Sequence, residues 1–501
     1  MVKKTGGALF STLNIDASSH TPLYRQLETK LRQLILDGEL AAKTRMPATR
    51  QLAADLGVSR LTVKNVYEQL MAEGFLWAKQ GSGTYVERLQ SSDLRPQTGV
   101  AGKQGEVQSG ADLSPRALLI SRSRAATRLD RVRAFRPGIP ALDLFPRRIW
   151  GDAYSRVLRT NNDDFLGYGP SSGLEALKKA ISEHVLDHRG IKCSSSQVII
   201  TSGAQQAFSL IAVTLLEPGD VVWMEDPGHI AIRDSMRLLG GNVCSVQIDA
   251  EGFSLEHAIG CYPPGRVMFT TPSHQHPLGV VMSLQRRLDL LDYASQSESW
   301  IVEDDYDSEF HYTDRALPAL QALDASGRVL YVGSFSKSLF PALRLGYLIC
   351  PPGLAQPFAA AQTLLSQNGS LLQQKALANF MLDGSFNSHI RKMKQAYRQR
   401  RDLLIESLEK HAADLFELEP CHAGLHLIGW LKVQRISDSE IAECIWAAGI
   451  DCLPISIFCD KEHLRPGIML GFACAVEAEI ERNVLCLAEA VRRALVDQVS
   501  A

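Results

Sequence analysis

The chain has 501 residues, enough for about three folding units by length alone. Hydrophobic residues make up 45% and charged residues 22%, a balance that excludes a disordered, collagen-like or disulfide-scaffold chain. The net charge of −2 hides an asymmetry: residues 1–134 carry +8 and residues 135–501 carry −10, which suggests a polyanion-binding head on an acidic body.

No uninterrupted apolar run reaches the roughly 18 residues of a membrane span. The nearest, 198–216, is broken by Thr201, Ser202, Gln205 and Gln206. No apolar core follows the basic start, so no signal peptide and no membrane partner are expected. The ten cysteines lie singly from Cys193 to Cys486 without a C-x-x-C, and read as the reduced thiols of a cytoplasmic protein.

Residues 1–20 read as a loose lead-in. Leu23, Leu27, Leu31, Leu34 and Ile35 then share one helical face, and Gly38 is placed to stop that helix. A short second helix is predicted over 49–55, with Leu52, Ala53 and Leu56 inward. Gly57-Val58-Ser59 turns into a third, with Ser59 as N-cap and Val63, Val66, Tyr67 and Leu70 as its buried stripe. Beyond Gly74, residues 75–78 and 84–86 read as strands joined by Lys79-Gln80-Gly81-Ser82-Gly83. Two helices joined by a glycine turn and followed by a hairpin make a winged helix-turn-helix.

A recognition helix in the major groove presents its first side chains to base edges, here Ser59, Arg60, Thr62 and Lys64. Arg60 suits guanine, worth about 1–3 kcal/mol of discrimination, and Lys64 suits phosphate. Arg50 should meet a backbone phosphate at the start of the second helix. The wing, with Lys79, Gly81 and Gly83, suits close backbone approach because its glycines carry no side chain. The ordered set Pro22-Leu23-Tyr24, Arg45 to Ala53, Leu56 to Val63 and Gly81 to Val86 resembles the GntR family of bacterial transcription regulators over 21–86. It implies binding to a double-stranded DNA operator. The head is bounded at 20–88.

Periodicity fails over 89–131, rich in Ser, Gln, Gly and Arg. As a flexible linker of about 40 residues it spans about 35 Å. Arginines 116, 122, 124, 128, 131 and 133 crowd its end, and either nucleic-acid contact or solvation accounts for them. From 132 to 498 short β-rich runs at 198–201, 221–225, 243–248, 267–270, 300–303, 329–332 and 344–350 alternate with helical patterns. This predicts an α/β body with a mainly parallel sheet, followed from about 386 by a smaller α+β lobe.

Five motifs in the body converge on one ligand, pyridoxal 5′-phosphate. In Ser334-Phe335-Ser336-Lys337, continuing to Arg344 and Tyr347, a lysine after a strand can form a Schiff base with an aldehyde. Ser334 and Arg344 suit a phosphate dianion, and Ser336 lies between Ser334 and the lysine. In Val302-Glu303-Asp304-Asp305-Tyr306, Asp304 would face the pyridine nitrogen and Tyr306, on the same side, the ring's 3-oxygen. Glu303 and Asp305 alternate to the other face. Where a strand enters a helix, Gly203, Ala204 and Gln205 offer free N–H groups to phosphate. Asp226-Pro227-Gly228-His229 would place His229 over the ring, and the turn 271–279 carries His276 toward the same crevice.

This constellation resembles the fold-type-I aminotransferases over about 132–498, with Phe135-Arg136-Pro137-Gly138-Ile139-Pro140 and Tyr168-Gly169-Pro170 in keeping. The tyrosine at the Tyr168 position reaches the cofactor phosphate of the partner subunit in that family, which implies a dimer. Head and body together are similar to the MocR/PdxR/GabR-like regulators. The resemblance implies a domain-swapped, head-to-tail homodimer whose DNA binding answers to the cofactor, or to an amine or amino-acid effector that condenses with it.

The sequence departs from these families at four places. His229 stands where tyrosine is usual, and its charge would vary with pH. His276 replaces an asparagine, and Ala204 a hydroxyl residue. Met469 stands where aminotransferases hold the substrate carboxylate with arginine, a bidentate pair that methionine cannot make. That loss costs on the order of 2–5 kcal/mol. Transamination of ordinary α-amino acids is therefore expected to be weak or absent, unless another arginine such as Arg136 substitutes. Arg465 lies close in sequence, but across the Pro466-Gly467 break. Two other readings stay open: a working aminotransferase with an appended head, and a regulator whose body has lost the cofactor.

Overall fold

The computed structural model describes residues 21–79, 81–87, 132–160, 163–312, 317–366, 369–433, 435–460 and 465–499, with 10, 13, 15, 16, 19, 114, 117, 118 and 121. They fall into two units, Met1–Ala111 and Asp112–Ala501. Gln80, most of the 89–131 linker and all of its arginines lie outside the described residues, whereas Arg133, just beyond it, is described.

In the first unit the apolar spacing becomes three helices, α1 (Leu23–Leu36), α2 (Thr49–Leu56) and α3 (Arg60–Ala72). Leu27, Leu31 and Ile35 of α1 meet Leu52 and Ala53 of α2 and Val63, Val66, Tyr67 and Leu70 of α3 in one core. Gly57 ends α2 in the left-handed region at φ 66°, and Ser59 Oγ accepts the Thr62 N–H at 3.0 Å to open α3. Most of the 1–20 lead-in lies outside the described residues; of those described, Phe10 is buried in this core and the Asp16 carbonyl accepts from Gln26 Nε2 at 2.9 Å. The wing pairs β1 (Leu76–Lys79) with β2 (Gly83–Val86), and Trp77 stacks on Tyr85 at 5.0 Å. Gly83 is required by the fold itself: its φ is +121°, and a Cβ there would lie 3.0 Å from Arg45 Nε.

The second unit is built on eight strands, β3 (Val198–Thr201), β4 (Val221–Asp226), β5 (Asn242–Asp249), β6 (Gly252–Phe253), β7 (Val267–Thr270), β8 (Trp300–Asp305), β9 (Val329–Ser334) and β10 (Gly346–Ile349). Their order is β3-β10-β9-β8-β7-β4-β5-β6. The pairs among β5, β4, β7, β8 and β9 are parallel, while β10 runs antiparallel to both β3 and β9. Both faces are covered, so β3, β7 and β10 are buried throughout and read as apolar runs. Alternation sorts the side chains: Val222, Met224, Val302, Leu330 and Val332 enter one core, and Trp223, Met268, Ile301 and Val329 another.

Helices α4 (Glu175–Arg189), α5 (Ala204–Leu215) and α6 (Ile230–Leu238) flank this sheet. The smaller lobe joins α7 (Ser385–His411), α8 (Asp438–Ala447) and α9 (Ile480–Val499) to an antiparallel sheet. Its order is β11 (Phe416–Leu418), β12 (His426–Leu431), β14 (Gly467–Gly471), β13 (Leu453–Pro454). All ten cysteines are free thiols. Among the described residues no helix is long and apolar enough to cross a membrane.

Polar groups at the end of β8 fix its orientation. Glu303 accepts the Leu320 and Gln321 N–H groups at 2.9 and 2.8 Å. Asp305 pairs with Arg189 at 2.7 Å and accepts the Tyr331 hydroxyl at 2.6 Å. Burial opposes both charges, yet the pair holds the Asp305 carboxyl below its usual range and the Arg189 guanidinium above its own. Arg189→Met leaves that carboxylate buried and alone. It should lower the stability of the body by about 3–5 kcal/mol in urea unfolding, with a smaller loss when Asp305→Asn is added.

Candidate functional site

In the first unit, Arg50, Ser59, Arg60, Lys64, Lys79, Gly81 and Gly83 are exposed and Thr62 is half-buried. The Ser59 oxygen is engaged in the helix cap and lies 2.8 Å from Thr62 Oγ1, so it sets the start of α3. Lys64 lies 3.6 Å from Glu68 with both side chains exposed, a pair too weak to withhold it from phosphate. Sequence reasoning passed over Leu61. It is 64% exposed between Arg60 and Thr62, and suits the methyl group of thymine. Its signal was present: an apolar residue in the first turn that lies off the buried stripe.

In the second unit, a cavity of about 660 Å³ opens where β8 and β9 end. Lys337, His229, His276, Tyr306, Asp307 and Arg136 line it, with the smaller lobe completing the wall. Lys337 Nζ donates to the Gly138 carbonyl at 2.7 Å. Gly138, at φ +75°, lets that contact form, since a Cβ there would stand 2.7 Å from the same nitrogen. Burial pushes the Lys337 amine down, against the opposing pull of Asp307 and Asp304.

Asp304 is buried, and burial together with Asp305, Glu225 and Asp307 holds it well above the usual carboxylate range. Tyr306 OH lies 3.0 Å from His274 Nδ1, which in turn lies 3.0 Å from Asp307 Oδ2. Burial raises the Tyr306 phenol, and the surrounding acids raise it further.

A buried carboxylate ties the two histidine-bearing turns together. Glu225 accepts the hydroxyls of Thr270 and Thr271 at 2.7 and 2.6 Å and the Thr271 N–H at 2.9 Å. Gln275 Nε2 donates both to Glu225 at 3.1 Å and to the Pro227 carbonyl at 2.9 Å. His229 and His276 are thereby brought to 5.3 Å between ring centroids, with Nδ1 of each buried and without a hydrogen bond among the described residues. Burial and then Lys337 lower His229 to about 4. The expected variation of its charge near neutral pH is therefore absent. Burial lowers His276 as well, and His426 to about 4.

The phosphate-type donors gather at a neighbouring turn. Gly346 pairs with Thr201 on one side and Ser334 on the other, so β10 brings the two loops together. Gly203 caps α5, and the Ala204 and Gln205 amides open the helix. A Cβ at Gly203 would lie 3.8 Å from Arg344 Nη1, which places the guanidinium against this turn. Ser336 N donates to Ser334 Oγ at 3.1 Å. Gln205 contributes only its main chain here, because its side chain donates to Ser235 Oγ at 2.5 Å. Tyr168 does not line the cavity and is 84% exposed.

Met469 is 1% exposed and pairs with Ile428 and Leu453 in a cluster with Ile455 and Phe458. Arg465 is turned elsewhere, pairing with Glu417 at 2.6 Å and donating to the Leu431 carbonyl at 3.2 Å. Sequence reasoning did not single out Asp307, His274, Glu225 or His426. The first three stand in or beside the motifs it used. His426 arrives from β12 and has no local signal.

Residues 23–86 match the bacterial regulatory proteins of the gntR family, and residues 149–470 match aminotransferase class I and II. The chain is 38% identical over 467 residues to the probable rhizopine catabolism regulatory protein MocR of Rhizobium meliloti, covering 92% of each. It is 33% identical to the HTH-type transcriptional regulator TauR of Rhodobacter capsulatus, over 93% of this chain and 96% of that one. The solved α-aminoadipate aminotransferase LysN of Thermus thermophilus superposes with a TM-score of 0.70 at 25% identity, covering 77% of this chain and 98% of that one. The aminotransferase class I and II fold family is dependent on pyridoxal phosphate. The chain belongs to the gntR family of bacterial regulatory proteins, among the DNA-binding transcription regulators whose body is an aminotransferase class I and II domain.

Proposed function

We propose that this regulator holds pyridoxal 5′-phosphate at Lys337, and that its affinity for an operator answers to that cofactor or to a primary amine that condenses with it. The head would be 20–88, the linker 89–131 and the body 132–498, arranged as a head-to-tail dimer. The observation that carries the reading is the set of unlike groups around one lysine. The Lys337 amine lines the cavity, the buried Asp304 carboxyl acts on its charge from a small pocket that shares His229 with that cavity, and a helix start with Arg344 lies by the Ser334 end of β9.

The residues present fit the group. Ser334, Ser336, Arg344 and the amides of Ala204 and Gln205 would hold the phosphate. Asp304, raised while it stands alone, would gain a partner in a protonated ring nitrogen, and Tyr306 would meet the ring oxygen. His229 and His276 present neutral rings with unused nitrogens to the ring face. Tyr168, exposed in one chain, suits a reach to the partner subunit. When bound, the cofactor supplies an aldehyde for amines and a ring that accepts electrons. Burial lowers the Lys337 amine, which favours its nucleophilic form, and the hydrogen bond to Gly138 orients it.

The regulator reading stands above that of a working aminotransferase, because Met469 offers no charge to an α-carboxylate and Arg465 is engaged with Glu417. Regulation then needs only a differential affinity of about 1–3 kcal/mol between DNA-competent and DNA-incompetent states.

Three outcomes test these assignments. Lys337→Ala should abolish borohydride-fixed cofactor, read by peptide mass, and should make operator affinity indifferent to added pyridoxal phosphate. Retention of fixed cofactor elsewhere would refute the assignment. Arg60→Ala should weaken operator binding by about 1–3 kcal/mol in gel shifts at fixed salt, and should relax preference at one base pair. The third outcome concerns pH. His229, His276 and His426 stay neutral in the folded body, whereas the unfolded chain takes up protons from about 6.5 downward. Their contribution is complete above pH 6.5 and is lost as the pH falls toward 4. The melting temperature of the apoprotein body should fall between pH 7 and 5. His229→Gln should lessen that fall, by about 1–2 kcal/mol at pH 5 in calorimetry.

A further inference from the structure

The cavity continues past the groups assigned to the cofactor, into a space closed by the smaller lobe. Its far wall is apolar: Leu453, Ile457, Phe458 and Met469 line it. Met469 is backed by Ile428 and Leu453 across the sheet, so an acid brought there would lose its water and find no donor. The usual location for a ligand carboxylate is therefore closed to one.

The charge lies elsewhere in the same cavity, on Arg136. Its main chain is clamped, because the Arg136 carbonyl accepts from Cys474 Sγ at 3.3 Å and a Cβ at Gly471 would lie 2.3 Å from that oxygen. The next two residues lead to Gly138 and its bond to Lys337. Arg136 lines the cavity, is half-buried, and its guanidinium acts on the charge of Lys337. It makes no ion pair or hydrogen bond among the described residues.

In this it stands apart. Every other described arginine of the body that is not exposed has a partner: Arg189, Arg237, Arg286, Arg400, Arg401 and Arg465 pair with acids, and Arg233, Arg287 and Arg328 donate to carbonyls. Asp307 shares the cavity, but is engaged by His274, and Glu443 makes no pair with Arg136. A half-buried guanidinium with no partner among the described residues, on a residue that lines a cavity, is a site for an anion.

We infer that the effector is a primary amine carrying a carboxylate, and that Arg136 holds this acid while the hydrocarbon between acid and amine lies against the Met469 wall. The inference rests on the cofactor reading above and deepens it. It separates effector recognition from the aminotransferase arrangement: the acid lies on the side of the 135–140 segment, not on β14.

The test uses the full-length protein loaded with pyridoxal phosphate. Alanine, β-alanine and 4-aminobutyrate are each titrated against their decarboxylated amines, and the readouts are the change in visible absorbance and the operator gel shift. At least one acid should bind about tenfold more tightly than its decarboxylated amine. Arg136→Gln should erase that preference by weakening the acids, and Arg136→Lys should keep part of it. Equal binding of acids and plain amines by the unaltered protein would overturn the inference without any variant, as would a preference that survives Arg136→Gln. Absence of borohydride-fixed cofactor before any amine is added would instead bring down the parent reading, and this inference with it.

Discussion

The ion pair between Arg189 and Asp305 decides which way the end of β8 faces. A strand sends successive side chains to opposite faces, and a slip of one residue would exchange Asp304 and Tyr306 for Glu303 and Asp305. All four are polar, so hydrophobic burial cannot choose between the two registers. The choice is made by specific partners on one face. Arg189 and Tyr331 take Asp305, and the amides of Leu320 and Gln321 take Glu303. With that face satisfied, Tyr306 is left lining the cavity beside His274, and Asp304 is left in the small pocket next to it, where it acts on the charge of Lys337. The desolvation of the Arg189 pair is repaid mainly through orientation, which is where buried pairs are best attested.

The same logic extends to the histidines. Glu225 receives three hydrogen bonds from Thr270 and Thr271 and a fourth from Gln275, which also grips the Pro227 carbonyl. Two turns from different strands are thereby held as one unit, with His229 on one and His276 on the other. Burial keeps these rings uncharged beside a lysine, so the site carries no cluster of positive charge that a phosphate-bearing cofactor would need to reorganise. A tyrosine at the His229 position would fill more space but would be equally neutral. Near neutral pH the histidine thus adds no charge to the folded site, and its pH dependence is confined to stability below about 6.5.

Much of this was legible in the sequence, and the division follows range. The head could be read almost residue by residue, because helix periodicity, the Ser59 cap and the glycine turns are local signals. Lys337, Asp304 and the Gly203 turn were legible for the same reason, each being a short motif at a strand end. Even the alternation at 303–306 followed from the strand period alone. Phe10 was misread as part of a loose segment because one aromatic residue has no period. His426 was missed because only the pairing of β12 with β14 brings it to the cavity. Arg465 could not be oriented across Pro466-Gly467, and only the acid on β11 shows where it goes. That Arg136 has no partner among the described residues is a property of three dimensions, which a sequence does not show.

The wall opposite Lys337 is itself fastened to the larger lobe, and this gives a ligand something to act upon. The Phe458 carbonyl accepts from Gly228 N and Arg233 Nη1, both at 3.1 Å. The Asp460 carboxylate takes Arg237 and Ser245 at 2.7 Å each, and its N–H reaches Asp226 at 2.8 Å. The apolar wall and the loop bearing His229 are thus one mechanical piece. A ligand can shift a conformational equilibrium only through contacts that differ between states. A plain amine held by the cofactor alone would touch one side of the cavity and bias little. A molecule that bridges Lys337, Arg136 and the wall would engage both lobes at once, and its free energy would depend on their separation. Contacts at several points are what would let occupancy of this cavity favour one conformation over another.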